Sequence, residues 1–168
     1  LSAEVNALLD NAVGPKDYRR DDEQRDMVIH HYELGLERMV QIARQAGVDI
    51  LFVKPASNIK DSSPFKSQHV EGVETDVQNR WVAAYKRGLE ARKAKDYETM
   101  VAALGEAAQI DDRWAHLHYD LGKAFMQQGR FDEAHTAFVR ARDEDVCPLR
   151  ALTPMVGIVE RVAAEQGI

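Results

Sequence analysis

The chain has 168 residues, 45% apolar and 30% charged, and its 28 acidic and 22 basic side chains leave a net charge of −6 at neutral pH. That size and composition suit one folded domain with a sizeable core, while the acidic balance excludes the basic footprint that non-specific nucleic-acid binding needs. No apolar run approaches the ~18 residues of a membrane span, and the single cysteine, Cys147, has no partner for an internal disulfide.

The first residue is Leu1 rather than methionine, which raises the expectation that the chain is a piece of a longer protein. Residues 1–12 read as a short amphipathic segment ending at the break Gly14-Pro15. Asp21 and Asp22 then offer N-caps for a long helix over about 23–46, with Met27, Val28, Tyr32, Leu36, Met39, Val40 and Ala43 at three- and four-residue steps and Gly47 placed to end it. The run 48–53 is short, β-branched and bounded by Gly47 and Pro55, which predicts one buried strand. A lone strand leaves its backbone donors and acceptors without partners, so it must pair with another copy or with a sheet outside the chain. Residues 54–73 read as an irregular loop, and the chain beyond is helical to about residue 166.

Charge is unevenly placed. Residues 1–53 hold ten acidic and six basic side chains, whereas 81–113 balance at six each. Within that neutral block Lys86, Arg87, Arg92, Lys93 and Lys95 form a basic stripe, which suits either a solvated helix face or contact with an acidic partner.

Laying residue 81 onto residue 115 aligns Gly88 with Gly122, Ala91 with Phe125, Tyr97 with Phe131, Leu104 with Phe138, Ala107 with Ala141 and Asp111 with Asp145. A 34-residue period of paired helices resembles the tetratricopeptide repeat family over 81–148. The second copy fits better, because Met100 stands where a small residue is usual and Lys95 where glycine is. The resemblance implies an all-α fold of helix-turn-helix repeats in a right-handed superhelix, flanked by helices and the one short strand. The organisation expected is 1–80 as N-terminal helices, strand 48–53 and loop, 81–148 as repeats 81–114 and 115–148, and 149–168 as a capping helix. Two repeats are fewer than the three or so that close a solenoid core, so the helix at 151–166 is expected to cover one end.

The same resemblance places Val82, Tyr85, Leu89, Arg92 and Lys93, then His116, Tyr119, Lys123, Met126 and Gln127, on a concave face. Aromatic, basic and amide groups there suit an extended protein or peptide partner bearing acidic side chains or a carboxylate. The alternative is that this face packs on other parts of the same polypeptide. The family's lysine and asparagine carboxylate clamp is not reproduced, so that specificity is not carried over.

No histidine spacing makes a metal site: His30 and His31 are adjacent and His116 and His118 face opposite sides. No phosphate loop or nucleophile elbow is present, no cofactor is implied, and Ser67 with His69 in a loop is not a triad without an orienting base. The run from Phe52 to Ser67, with Ser57-Asn58-Ile59-Lys60-Asp61 followed by Pro64-Phe65, resembles a region of bacterial SGNH/GDSL-type hydrolases that carry a tetratricopeptide insertion. There a helix leads into a core strand, then this loop, the repeats, an Asp-x-x-x-x-Arg element matched by Asp145 to Arg150, and a returning helix. The resemblance covers about 23–73 and 143–168. It implies that Asn58 and Asp61 sit near the parent's active-site rim, with loop capping as their alternative role, and that the catalytic serine and histidine lie outside this chain. The expectation is a non-catalytic, soluble interaction or scaffold module whose parent is membrane-anchored or periplasmic. The alternative of another class is an acyl or glycosyl hydrolase assembled across subunits.

Overall fold

The structure, a computed structural model, describes residues 17–168; the amphipathic segment expected at 1–12 and the break at Gly14-Pro15 lie outside the described residues. Six helices follow, α1 Asp22–Ala46, α2 Thr75–Ala94, α3 Tyr97–Ile110, α4 Ala115–Gln127, α5 Phe131–Asp143 and α6 Thr153–Gln166. Asp21 caps α1 by accepting the Gln24 N–H at 2.8 Å, and Gly47 ends it in the left-handed region at φ 65°. The apolar stripe of α1 buries Leu36, Val40 and Ala43, and Leu36 and Val40 join Ile158, Val159 and Val162 of α6 in one core.

The strand expected at 48–53 is not formed. The alternation is there: Ile50 and Phe52 pack on the α1–α6 core, while Leu51 and Val53 point outward at 84% and 76% exposure. Among the described residues, however, no second strand lies alongside to complete a ladder, and alternation alone fixes faces, not pairing.

The repeats are two hairpins, α2 with α3 and α4 with α5, and α3 stacks on α4. The close approach within each hairpin is made by glycine. A Cβ on Gly88 would stand 2.6 Å from Leu104 Cδ2, and one on Gly122 would stand 2.6 Å from Phe138 Cδ1. The two turns also correspond, with Gly129 at φ 73° and Lys95 at φ 58° in the left-handed region. Met100, which stands where a small residue is usual, is fully buried in the first repeat. Ala91 and Met100 of the first hairpin belong to one core cluster, against which Phe125 of the second packs. The first hairpin also starts six residues ahead of residue 81, at Thr75.

The helix expected to cap the repeats takes a different partner. α6 packs against α1, so that α1, the extended run 48–53 and α6 form one body and α2–α5 another. The segments that lead into and out of the repeats lie against each other: the Val146 N–H donates to the Lys66 carbonyl at 3.0 Å.

Candidate functional site

The residues drawn together between these two bodies belong to the loop 58–70, which crosses the amino-terminal end of α4 and its groove face. Asp145, whose side chain is fully buried, accepts the N–H groups of Phe65 at 2.8 Å, Lys66 at 3.0 Å and Cys147 at 3.0 Å. Asp111, one repeat earlier, accepts the Val70 N–H at 3.2 Å, the Arg113 N–H at 2.9 Å and the His69 ring at 2.7 Å. Ser67 lies between these anchors. It accepts the His116 N–H at 2.8 Å at the start of α4, and its hydroxyl meets His116 Nδ1 at 2.7 Å. His69 rests against two indoles, edge-on to Trp81 with centroids 4.5 Å apart and tilted on Trp114 at 4.3 Å.

Farther along the loop, Arg150 donates to the Ser62 carbonyl at 2.7 Å and the Asn58 carbonyl at 3.3 Å. The Asn58 side chain accepts the Asp61 N–H at 2.9 Å, the short polar capping expected as its alternative role. Lys60 beside Asp61 holds that exposed carboxyl below its ordinary range. A second anchor lies just ahead of α1 and in its first turn. Arg20, 10% exposed at its side chain, pairs with Glu144 at 2.8 Å, while Arg113 forks onto Asp22 at 2.6 and 2.8 Å and reaches Glu144 at 3.0 Å. Burial lowers the Arg20 pKa, the Asp22 hydrogen bond raises that of Arg113, and the same bond lowers Asp22.

The expected groove residues divide into three groups. His116, Tyr119 and Lys123 meet the chain's own loop: Tyr119 donates to the Lys60 carbonyl at 2.9 Å, and Lys123 stands 4.0 Å from Asp61 and over the Tyr119 ring. Tyr85 and Arg92 converge on the buried Asp120, at 2.7 and 2.9 Å, and burial followed by the Asp120 charge pushes the Tyr85 hydroxyl up. Lys93, Val82 and Gln127 are exposed, and Leu89 and Met126 are half-buried. Sequence reasoning does not find Asp120 or the two tryptophans; nor does it find the shared use of Asp111 and Asp145, although their 34-residue spacing is visible.

Ser67 pairs with His116 and His69 with Asp111, so serine, histidine and carboxylate are not in series. Among the described residues no three His, Cys, Asp or Glu side chains are gathered to hold a metal ion, and burial raises the Cys147 thiol away from a reactive thiolate.

Residues 115–145, which hold α4 and α5, match the tetratricopeptide repeat family. The fold is of the tetratricopeptide type. No curated protein and no solved structure matches the chain. The α4–α5 hairpin is thus the one that the family pattern finds, and the α2–α3 hairpin has the corresponding glycine contact and left-handed turn. No described helix is long and apolar enough to cross a membrane.

Proposed function

We propose that the chain is a non-catalytic scaffold in which two tetratricopeptide hairpins, inserted into a larger fold resembling an SGNH/GDSL-type bacterial hydrolase, hold the loop bearing Asn58 and Asp61 at the rim of the parent's site. The observation that carries this reading is topological. The chain leaves the α1–α6 body at 54–66, makes the hairpins, and returns at 145–152 alongside its own departure, with Lys66 bonded to Val146 and Arg150 bonded to Ser62. The outward faces of Leu51 and Val53 are what a strand of a parent sheet would bury. On this reading the isolated chain leaves p-nitrophenyl acetate unhydrolysed. Hydrolysis that disappears on Ser67→Ala would overturn it, as would a reading frame with no serine block upstream and no Asp-x-x-His block downstream.

A second reading, capture of an acidic or carboxylate-bearing peptide, draws on the part of the groove the loop leaves open. Arg92 and Lys93 are 50% and 70% exposed there. Lys93→Ala is expected to weaken capture of an acidic peptide with Tm nearly unchanged, since its pair with Glu90 is exposed; unchanged capture removes this reading.

A further inference from the structure

The return segment 146–152 encloses a cavity of about 540 Å³ together with the first turns of α1 and the start of α6. That volume lies in the range that holds a small molecule. Val28 and Ile29 of α1, Leu149 of the return, and Leu152 and Met155 at the start of α6 give it an apolar wall. Arg20, Arg25 and Arg150 line it as well. Among the described residues, the buried side-chain nitrogens and oxygens that make no hydrogen bond all belong to these three arginines. They are Nε of Arg20, Nε of Arg25, and both Nε and Nη2 of Arg150.

At Arg150 the vacant pair is a whole edge of the guanidinium, the edge that takes a carboxylate through two parallel bonds. Its remaining nitrogen, Nη1, donates to the Ser62 and Asn58 carbonyls, and the side chain is only 12% exposed. Arg20 donates to Glu144 and to backbone carbonyls through Nη1 and Nη2, which leaves Nε over. Arg25 stands 3.8 Å from Asp22 and 3.7 Å from Asp26, too far for a hydrogen bond to either. Buried donors without acceptors carry a free-energy penalty that a bound acceptor relieves. The acidic side chains of the same wall are already engaged. Asp21 takes the Gln24 N–H, Asp22 the fork of Arg113, and Asp143 the N–H and hydroxyl of Thr153. Asp145, 3.7 Å from Arg150 Nη2, takes three backbone N–H groups.

We propose that this cavity is a binding site for a carboxylate with an apolar chain. The carboxylate takes the Nε–Nη2 edge of Arg150, with Arg20 and Arg25 as further donors, and the chain lies along Val28, Ile29, Leu152 and Met155. Four carboxylates in the wall favour this single negative charge over the roughly two of a phosphate group. The arginines need only the rotamer adjustments that are common on binding. The site does not rest on the insertion reading, and its failure would leave that reading standing.

The test is calorimetric titration of the full chain with octanoate, using butanoate and octanol as controls. Octanoate is expected to bind saturably at one site and to raise Tm. Butanoate, with its shorter chain, should bind at least about tenfold more weakly. Octanol, which keeps the chain and lacks the carboxylate, should be weaker by a similar factor. Arg150→Lys keeps the charge but loses the two-pronged edge, and is expected to weaken octanoate at least about tenfold with octanol unchanged. A folded chain that ignores millimolar octanoate overturns the proposal, as does octanol binding as tightly, or octanoate binding Arg150→Lys undiminished. Should Arg150→Lys unfold through its contacts to Ser62 and Asn58, Val28→Asp decides the question. Val28 is 52% exposed, so the fold tolerates a charge there while the apolar wall does not. Octanoate binding is expected to be lost in that variant, and unchanged binding overturns the site.

Discussion

Asp111 and Asp145 occupy the same position in successive repeats, and both hold the same short run of chain, one through Val70 and the other through Phe65 and Lys66. The stacking of the hairpins sets these carboxylates a repeat apart, and the extended backbone bridges the gap in four or five residues.

Replacing either carboxylate by alanine strands buried donors, at a cost of about 3 kcal/mol, or a Tm lower by roughly 6–12 °C in a chain of this size. Because both anchors restrain one segment, Asp111→Ala with Asp145→Ala is expected to cost clearly less than the two single losses added. Thermal melts of the four proteins decide it, and strict additivity would show that the loop is held elsewhere.

Gly122→Ala drives a methyl group into the Phe138 ring, with 2.6 Å to both Cδ1 and Cε1. Overpacking of about 1–3 kcal/mol is expected. Gly88→Ala meets the more pliable tip of Leu104 and should cost less. Shrinking the ring with Phe138→Val is expected to remove most of the Gly122→Ala penalty, measured as a coupling in urea melts.

Lys95 adopts a left-handed backbone that its counterpart Gly129 takes without a Cβ. Lys95→Gly is therefore expected to stabilise by about 1 kcal/mol, and Gly129→Ala to destabilise by a similar amount. Opposite shifts in Tm are the check.

His118 is buried in α4 with Nε2 against the Asp112 carbonyl, and burial, reinforced by the charge of Arg140, lowers its pKa below 6.5. The unfolded chain thus takes up this proton first. The stability that the neutral ring contributes is complete above pH ~6.5, declines as acid is added, and levels off below the folded-state value. Urea midpoints from pH 8 to 5 should fall more steeply for the wild type than for His118→Gln; parallel curves would mean that the ring is free to ionise in the fold.

Much of this fold is legible in the residues, and the parts that are not share a cause. Gly88 with Leu104 and Gly122 with Phe138 are matched small and large side chains, so register arithmetic finds them. Asp111 and Asp145 are equally visible as matching letters, but their partners are backbone N–H groups, which any residue at positions 65, 66 or 70 would supply. The loop 54–73 looks irregular for the same reason: serines and prolines announce turns and say nothing about a seat on α4. His116, Tyr119 and Lys123 therefore read equally as facing a free partner or as packing on the chain itself, and in the fold their neighbours are Ser67, Lys60 and Asp61.

Because Lys66 and Val146 meet, the two hairpins and their links leave and rejoin the rest of the chain at one place. A fold built around α1 and α6 would feel that whole stretch as one tight bend, and closing it adds little chain entropy however long the excursion grows. Hairpins could thus be gained or shed beyond the crossing while the body that carries them kept its shape.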